Sequence, residues 1–222
     1  MKRKKLLYIV ANSKPELLST CQRGAKLFIQ CFLEKNPEYE VEIIRLFDCN
    51  LPEPTHVHFA SRAELVSGEA YEALSRQDQE VVQKMQQLCQ QFKSADRYVI
   101  AAPMWTLAMP YKLKQYLDCI ILNEQTISIS PKGVKGLLRH KVRKAIYIQS
   151  SAAIYPFTTI NIPLLKQRVN HGVTYLYDVF RFLGIECIHP LLIEGTEIDD
   201  IGVELALAEA GSEIKNLCYH FE

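Results

Sequence analysis

No run of apolar residues in this 222-residue sequence approaches the length of a membrane span, so no spanning helix is expected. Neither sign of charge dominates. Twenty-six Lys and Arg against 25 Asp and Glu leave a formal charge of +1, which gives no reason to expect nucleic acid as a partner. The seven cysteines include no CxxC pair and fall at irregular spacing, arguing against a disulfide framework and against a zinc site. His56, His58 and His140 bring no third ligand at telling spacing. There is no GxGxxG, no GxxxxGK[ST] and no nucleophile elbow, which counts against a Rossmann dinucleotide site, a nucleotide triphosphatase and a hydrolase triad. The basic opening Lys2 to Lys5 leads into too short an apolar stretch for a signal peptide, and a cytoplasmic protein is expected. Tryptophan occurs once, at Trp105.

What the sequence does have is alternation. Lys5 to Ala11 and Arg97 to Ala102 read as buried strands, Val41 to Leu46 alternates as a strand does, and Lys144 to Gln149 and Ile185 to Ile193 read as two more strands. Between and after them, Ser19 to Leu33, Ser75 to Phe92, a segment opened by Pro110, Asn161 to Leu183 and Ile198 to Tyr219 read as helices. Ser19 with Gln22 fits a capping box, and Gly184 should end the fourth helix. Strands alternating with helices five times predict one α/β domain over residues 1–222: a doubly wound, flavodoxin-like, five-stranded parallel sheet in the order 2-1-3-4-5 between two helical layers. The long connections Phe47 to Leu74 and Asn123 to Arg143 are candidates for site walls or an interface.

In such a sheet a ligand lies beyond the carboxyl ends of the strands, where the strand order reverses. Here that is the crevice between strands one and three, flanked by Asn12 to Leu18 and Pro103 to Met109. The first loop offers hydroxyls at Ser13, Ser19 and Thr20 beside a helix N-terminus whose free amides attract anions. The second places Trp105 where a flat ligand could pack. Cys21 lies in the first helical turn, where a thiolate is favoured, although buried packing is its commoner role.

The stretches "NSKPELLSTCQ", "APMWTLAMPYKLKQYLD", "PKGVKGLL" and "FLGIECIHPLLIEG" together resemble the flavin-dependent NADH:quinone oxidoreductases known as azoreductases, over nearly the whole chain. The resemblance implies FMN as cofactor, NADH or NADPH as donor and a homodimer with sites at the subunit interface. It also implies two-electron ping-pong reduction of a quinone or azo compound as small-molecule acceptor. By resemblance, Ser13, Ser19 and Cys21, with Thr20 between them, fall on the family's phosphate-loop serines. Met104, Trp105, Thr106 and Leu107 fall on its Met-Tyr-Asn-Phe run along the isoalloxazine. Ser150, Ser151, Ala152 and Ala153 fall on its Ser-Arg-Gly-Gly turn. Cys21 replaces a hydroxyl donor, Leu107 an aromatic, and the two alanines both glycines, so weaker FMN retention than the family norm is expected.

No catalytic side chain is required if a flavin carries the hydride chemistry. Two other readings stand beside this one. One is an electron-carrier flavodoxin, which the near-neutral charge disfavours. The other is a family member that has lost tight flavin binding and serves as a binding or regulatory module, which the missing glycines favour.

Overall fold

The computed structural model describes residues 3–155 and 170–222. Five parallel positions form the central sheet. They are β1 (Lys4–Val10), β2 (Tyr39–Arg45), β3 (Arg97–Pro103), β4 (Lys144–Ser150) and an edge strand β5 made of two pieces, Glu186–Cys187 and Leu191–Ile193. Their order is β2-β1-β3-β4-β5, as the alternation predicts. β1 is the pivot: the chain moves from it to β2 on one side, then crosses back to β3 on the other.

Each face is covered by helices for the reason their apolar stripes give. Leu7, Ile9, Tyr98, Ile100, Ala145 and Tyr147 point to α2 (Arg76–Ser94), α3 (Tyr111–Ile120) and α4 (His171–Leu183). The alternate residues, Leu6, Tyr8, Val10, Val99, Ile146 and Ile148, point to α1 (Thr20–Lys35) and α5 (Gly202–Phe221). Strands apolar at every position are thus buried on both sides, which is why these runs carry no polar alternation.

Several boundaries differ from the sequence reading, each for a local reason. The edge strand is not continuous. Cys187 pairs with Ala145 and Leu191 with Ile148, so four residues on β5 span three on β4. Pro190 sits in that bulge, where its missing N–H costs no ladder bond. The hydroxyl of Tyr177 on α4 donates to the Ile188 carbonyl there. The last helix begins at Gly202 and not at Ile198, because Ile198 to Ile201 form a turn closed by Ile201 and Gly202 amides on the Ile198 carbonyl. α4 is described from His171, with Asn170 as its cap, so the predicted start at Asn161 lies outside the described residues. It ends at Gly184 in the left-handed conformation, φ 94°, which only glycine adopts freely. α2 starts one residue after Ser75, whose Oγ accepts from the Asp78 amide at 3.1 Å.

The two long connections each fold into a small antiparallel hairpin, Phe59–Ser61 with Glu64–Leu65 and Ile127–Ser130 with Gly133–Gly136. In the first connection His58 is buried. Its Nδ1 accepts from the Thr55 amide at 2.7 Å, and its Nε2 meets Asp78 Oδ1 at 3.0 Å, tying the connection to α2. Among the described residues no helix is long and apolar enough to cross a membrane.

Candidate functional site

β1 and β3 both end at the crevice where strand order reverses, and the chain leaves each by a loop of different construction. The first loop is clasped from below. Asn12 Nδ2 donates to Ser19 Oγ at 2.7 Å and lies 3.4 Å from Cys21 Sγ. Asn12 Oδ1 accepts from the Lys14 amide at 2.9 Å. Ser19 caps α1, its Oγ accepting from the Gln22 amide at 3.4 Å. The capping box predicted there is only half made. The Gln22 side chain does not reach back to Ser19. It is buried, donates to the Lys14 carbonyl at 2.8 Å and accepts from Arg45 Nη1 at 2.9 Å. The Ser19 amide instead bonds the Glu16 carbonyl in the turn before it. Gln22 is therefore a loop brace, and α1 keeps the amides of Thr20 and Cys21 for a ligand at its N-terminus.

The second loop is a tight turn. Trp105 and Ala108 exchange both backbone hydrogen bonds, at 3.1 and 2.9 Å, around Thr106 and Leu107. Both central residues have positive φ, 48° and 61°. That conformation costs about 1–2 kcal/mol per non-glycine residue. The Leu107 carbonyl accepts from the His171 amide at 2.9 Å, docking the turn on the start of α4. Trp105 is 40% exposed, and its ring lies edge-on to Phe47 at 5.7 Å, with Tyr111 beyond at 5.9 Å from Phe47.

The third wall follows β4. Met104 continues the pairing with an amide bond to the Ser150 carbonyl at 2.8 Å. Ser151 donates its amide to Ile193 and its hydroxyl to Ala153, and its carbonyl accepts from Thr196. The Glu197 amide bonds Ala152 and that of Gly195 bonds Ala153. Glu194 Oε1 accepts from the Tyr155 amide at 2.7 Å, and burial pushes this carboxyl above the usual carboxylate range.

These loops enclose a cleft of about 230 Å³. Ser13, Ser19, Thr20, Met104, Trp105, Ser150, Ser151 and Ala152 line it, so eight of the twelve residues singled out in the sequence come together. Thr106, Leu107 and Ala153 stand outside the lining. Cys21 is a clearer departure. It is fully buried with its Sγ 3.3 Å from Ser19 Oγ, so only its backbone is placed to meet a ligand. Asn12, Lys14, Leu18 and Pro103, from the two loops the sequence assigns to the crevice, line it too, whereas sequence reasoning missed Thr196 and Glu197. Thr196 and Glu197 carry no local motif and reach the cleft only through the bonds to Ser151 and Ala152. The long connections do not line it either; of the two, Phe47 alone approaches, by its contact with Trp105. A larger cleft of about 800 Å³ lies elsewhere, between the Cys49 to His58 segment and α2.

The sequence matches the flavodoxin-like fold family over residues 4–217. It is 42% identical over 216 residues to FMN-dependent NADH:quinone oxidoreductase 1 of Clostridium acetobutylicum, covering 96% of this chain and 94% of that one. The chain belongs to this family. A Clostridium botulinum protein of the same name is 40% identical over 215 residues, covering 96% and 97% of the two chains. Among solved structures, an FMN-dependent NADH-azoreductase from Bacillus anthracis, in complex with FMN, superposes with a TM-score of 0.79 at 28% identity, covering 98% of this chain and 99% of that one.

Proposed function

We propose that the protein is an FMN-dependent NADH:quinone oxidoreductase that also reduces azo compounds. The observation that carries this reading is the meeting of an anion-binding helix start and a flat aromatic wall in one cleft at the strand switch point. The residues fit the cofactor at both ends. Ser13, the Thr20 hydroxyl and the amides of Thr20 and Cys21 would hold a phosphate at the positive end of α1, with Lys14 adding charge. Met104 and Trp105 would flank the ring, with Ser150 to Ala152 opposite.

What FMN supplies when bound is two-electron hydride transfer, in from a reduced nicotinamide and out to the acceptor, in ping-pong order. The chain's own part is positioning and shielding. The paired backbone bonds of the Trp105 turn and the lock between residues 151–155 and 193–197 fix the walls before any ligand arrives. Trp105 would limit the approach of water to the bound ring.

The same cleft has an apolar rim. Leu17 is 84% exposed, and Leu18, Leu107, Tyr111 and Ile154 are exposed with it. This favours a homodimer that covers the rim and completes the site, with an interface above roughly 1,000 Å². Steady-state rates at varied NADH and quinone test the kinetic order. Parallel double-reciprocal lines are expected, and intersecting lines would contradict ping-pong exchange.

A further inference from the structure

β4, the start of α4 and the Trp105 turn meet behind the candidate cleft, and the chain buries polar atoms there that it does not pair. Among the described residues, five buried side-chain polar atoms have no hydrogen-bond partner. Four of them are Tyr147 Oη, both amide atoms of Gln149, and Asn170 Nδ2. Tyr147 and Gln149 stand two apart on β4 and so share a face. Asn170 caps α4, its Oδ1 accepting from the Val173 amide at 3.3 Å. All three side chains are buried. Gly172, in the first turn of α4, shows how closely two of them approach. A Cβ there would stand 3.1 Å from Gln149 Oε1 and 3.3 Å from both Tyr147 Oη and the Ala108 carbonyl carbon. The two oxygens are therefore at most about 6 Å apart, yet they make no direct bond. One water spans such a gap with two hydrogen bonds of about 2.8 Å.

We propose that an ordered water occupies this junction, accepting from the Tyr147 hydroxyl and donating to Gln149 Oε1, and that Gln149 is thereby a positioning residue for the cleft. Burial pushes the Tyr147 hydroxyl up, so it keeps the proton it would donate. Leucine at position 149 would fill the same space without burying an unpaired amide. A glutamine there is consistent with a stable core only if something pairs with it. The part that the water would set is the Trp105 turn. Ala108 closes that turn through its two bonds with Trp105, and the Leu107 carbonyl docks it on His171, next to Gly172. On the strand side, Gln149 precedes Ser150, whose carbonyl holds the Met104 amide. The water thus ties the strand end that holds Met104, and the turn that carries Trp105, to the start of α4. It stands whether or not the cleft takes FMN; only its effect on a bound ring rests on that reading.

The test is a crystal structure of the full chain without FMN, at a resolution that shows ordered waters, with Tyr147→Phe and Gln149→Met beside it. One water is expected within hydrogen-bond distance of Tyr147 Oη and Gln149 Oε1, and it should be lost from both variants. Tyr147→Phe removes a single oxygen and should fold even if Gln149→Met does not. Acrylamide quenching of Trp105, also measured without FMN, should increase in the variants, with its emission shifted, because the turn is no longer held. A direct bond between Tyr147 and Gln149, or protein atoms filling the junction, would overturn the water. A lower unfolding midpoint with Trp105 quenching at the parent's value would overturn the positioning role. Titration of the parent with FMN tests the cofactor reading separately, and its failure would leave these expectations in place.

Discussion

Asn12 Nδ2 donates to Ser19 Oγ at 2.7 Å, and this one bond joins the end of β1 to the cap of α1. The hydroxyl accepts from the Gln22 amide as well. Removing it loses the cap and leaves the Asn12 amide without its closest acceptor. Ser19→Ala should therefore destabilise the fold by about 1–2 kcal/mol. Urea unfolding measures this, and a loss within error of zero would show that the loop does not depend on the clasp.

Thr106 and Leu107 occupy a turn that asks for positive φ at both positions. Asn and Gly meet that demand with little strain. Thr106→Asn, and separately Leu107→Gly, should each stabilise by about 0.5–1 kcal/mol if no other contact is lost. Denaturant midpoints of the two variants check this. Destabilisation of both would mean the Thr106 and Leu107 side chains contribute more than the backbone strain costs.

Two glycines separate backbone crowding from side-chain crowding. A Cβ on Gly136 would run into the Phe182 carbonyl and the Leu183 backbone, which cannot rotate away. A Cβ on Gly24 would come 2.5 Å from Ile193 Cδ1, a flexible tip. Gly136→Ala is expected to cost about 3 kcal/mol or more. Gly24→Ala should be near neutral, since helix propensity returns about 1 kcal/mol against the crowding. Thermal unfolding of the two variants ranks them, and equal losses would refute the distinction.

Glu194 titrates in a half-buried place that raises its pKa. A carboxyl raised in the folded state favours folding most when protonated, and that contribution is lost as pH rises through the folded pKa. Glu194→Gln keeps an acceptor for the Tyr155 amide and removes the charge. The variant should gain stability over the parent above the acid range, with the difference vanishing as pH falls below the carboxylate range. A difference constant with pH would show that Glu194 is not the titrating group.

Much of this was legible in the sequence because burial writes itself into composition. The continuous apolar runs at β1, β3 and β4 exist because helices cover both faces, and their alternation with helices gives the doubly wound order. The switch-point rule in turn singles out Ser13 and Trp105. What stayed hidden depends on partners distant in sequence. Nothing in "SKPELLSTCQ" says that Gln22 turns toward Lys14 and Arg45 and away from Ser19, since Arg45 stands 23 residues on. The bulge at Pro190 appears only when the register with β4 is known. Thr196 and Glu197 owe their place to bonds with Ser151 and Ala152, a pairing no local pattern encodes.

The central claim is that the cleft between the β1 and β3 loops binds FMN, and Trp105 is its own reporter as the only tryptophan. FMN titrated into purified protein, with tryptophan emission followed, tests it most directly. Saturable quenching is expected, with one FMN per chain. It should be lost in Thr20→Tyr, which fills the cleft at the start of α1. No quenching at any practical FMN concentration, or quenching unchanged in that variant, would contradict it.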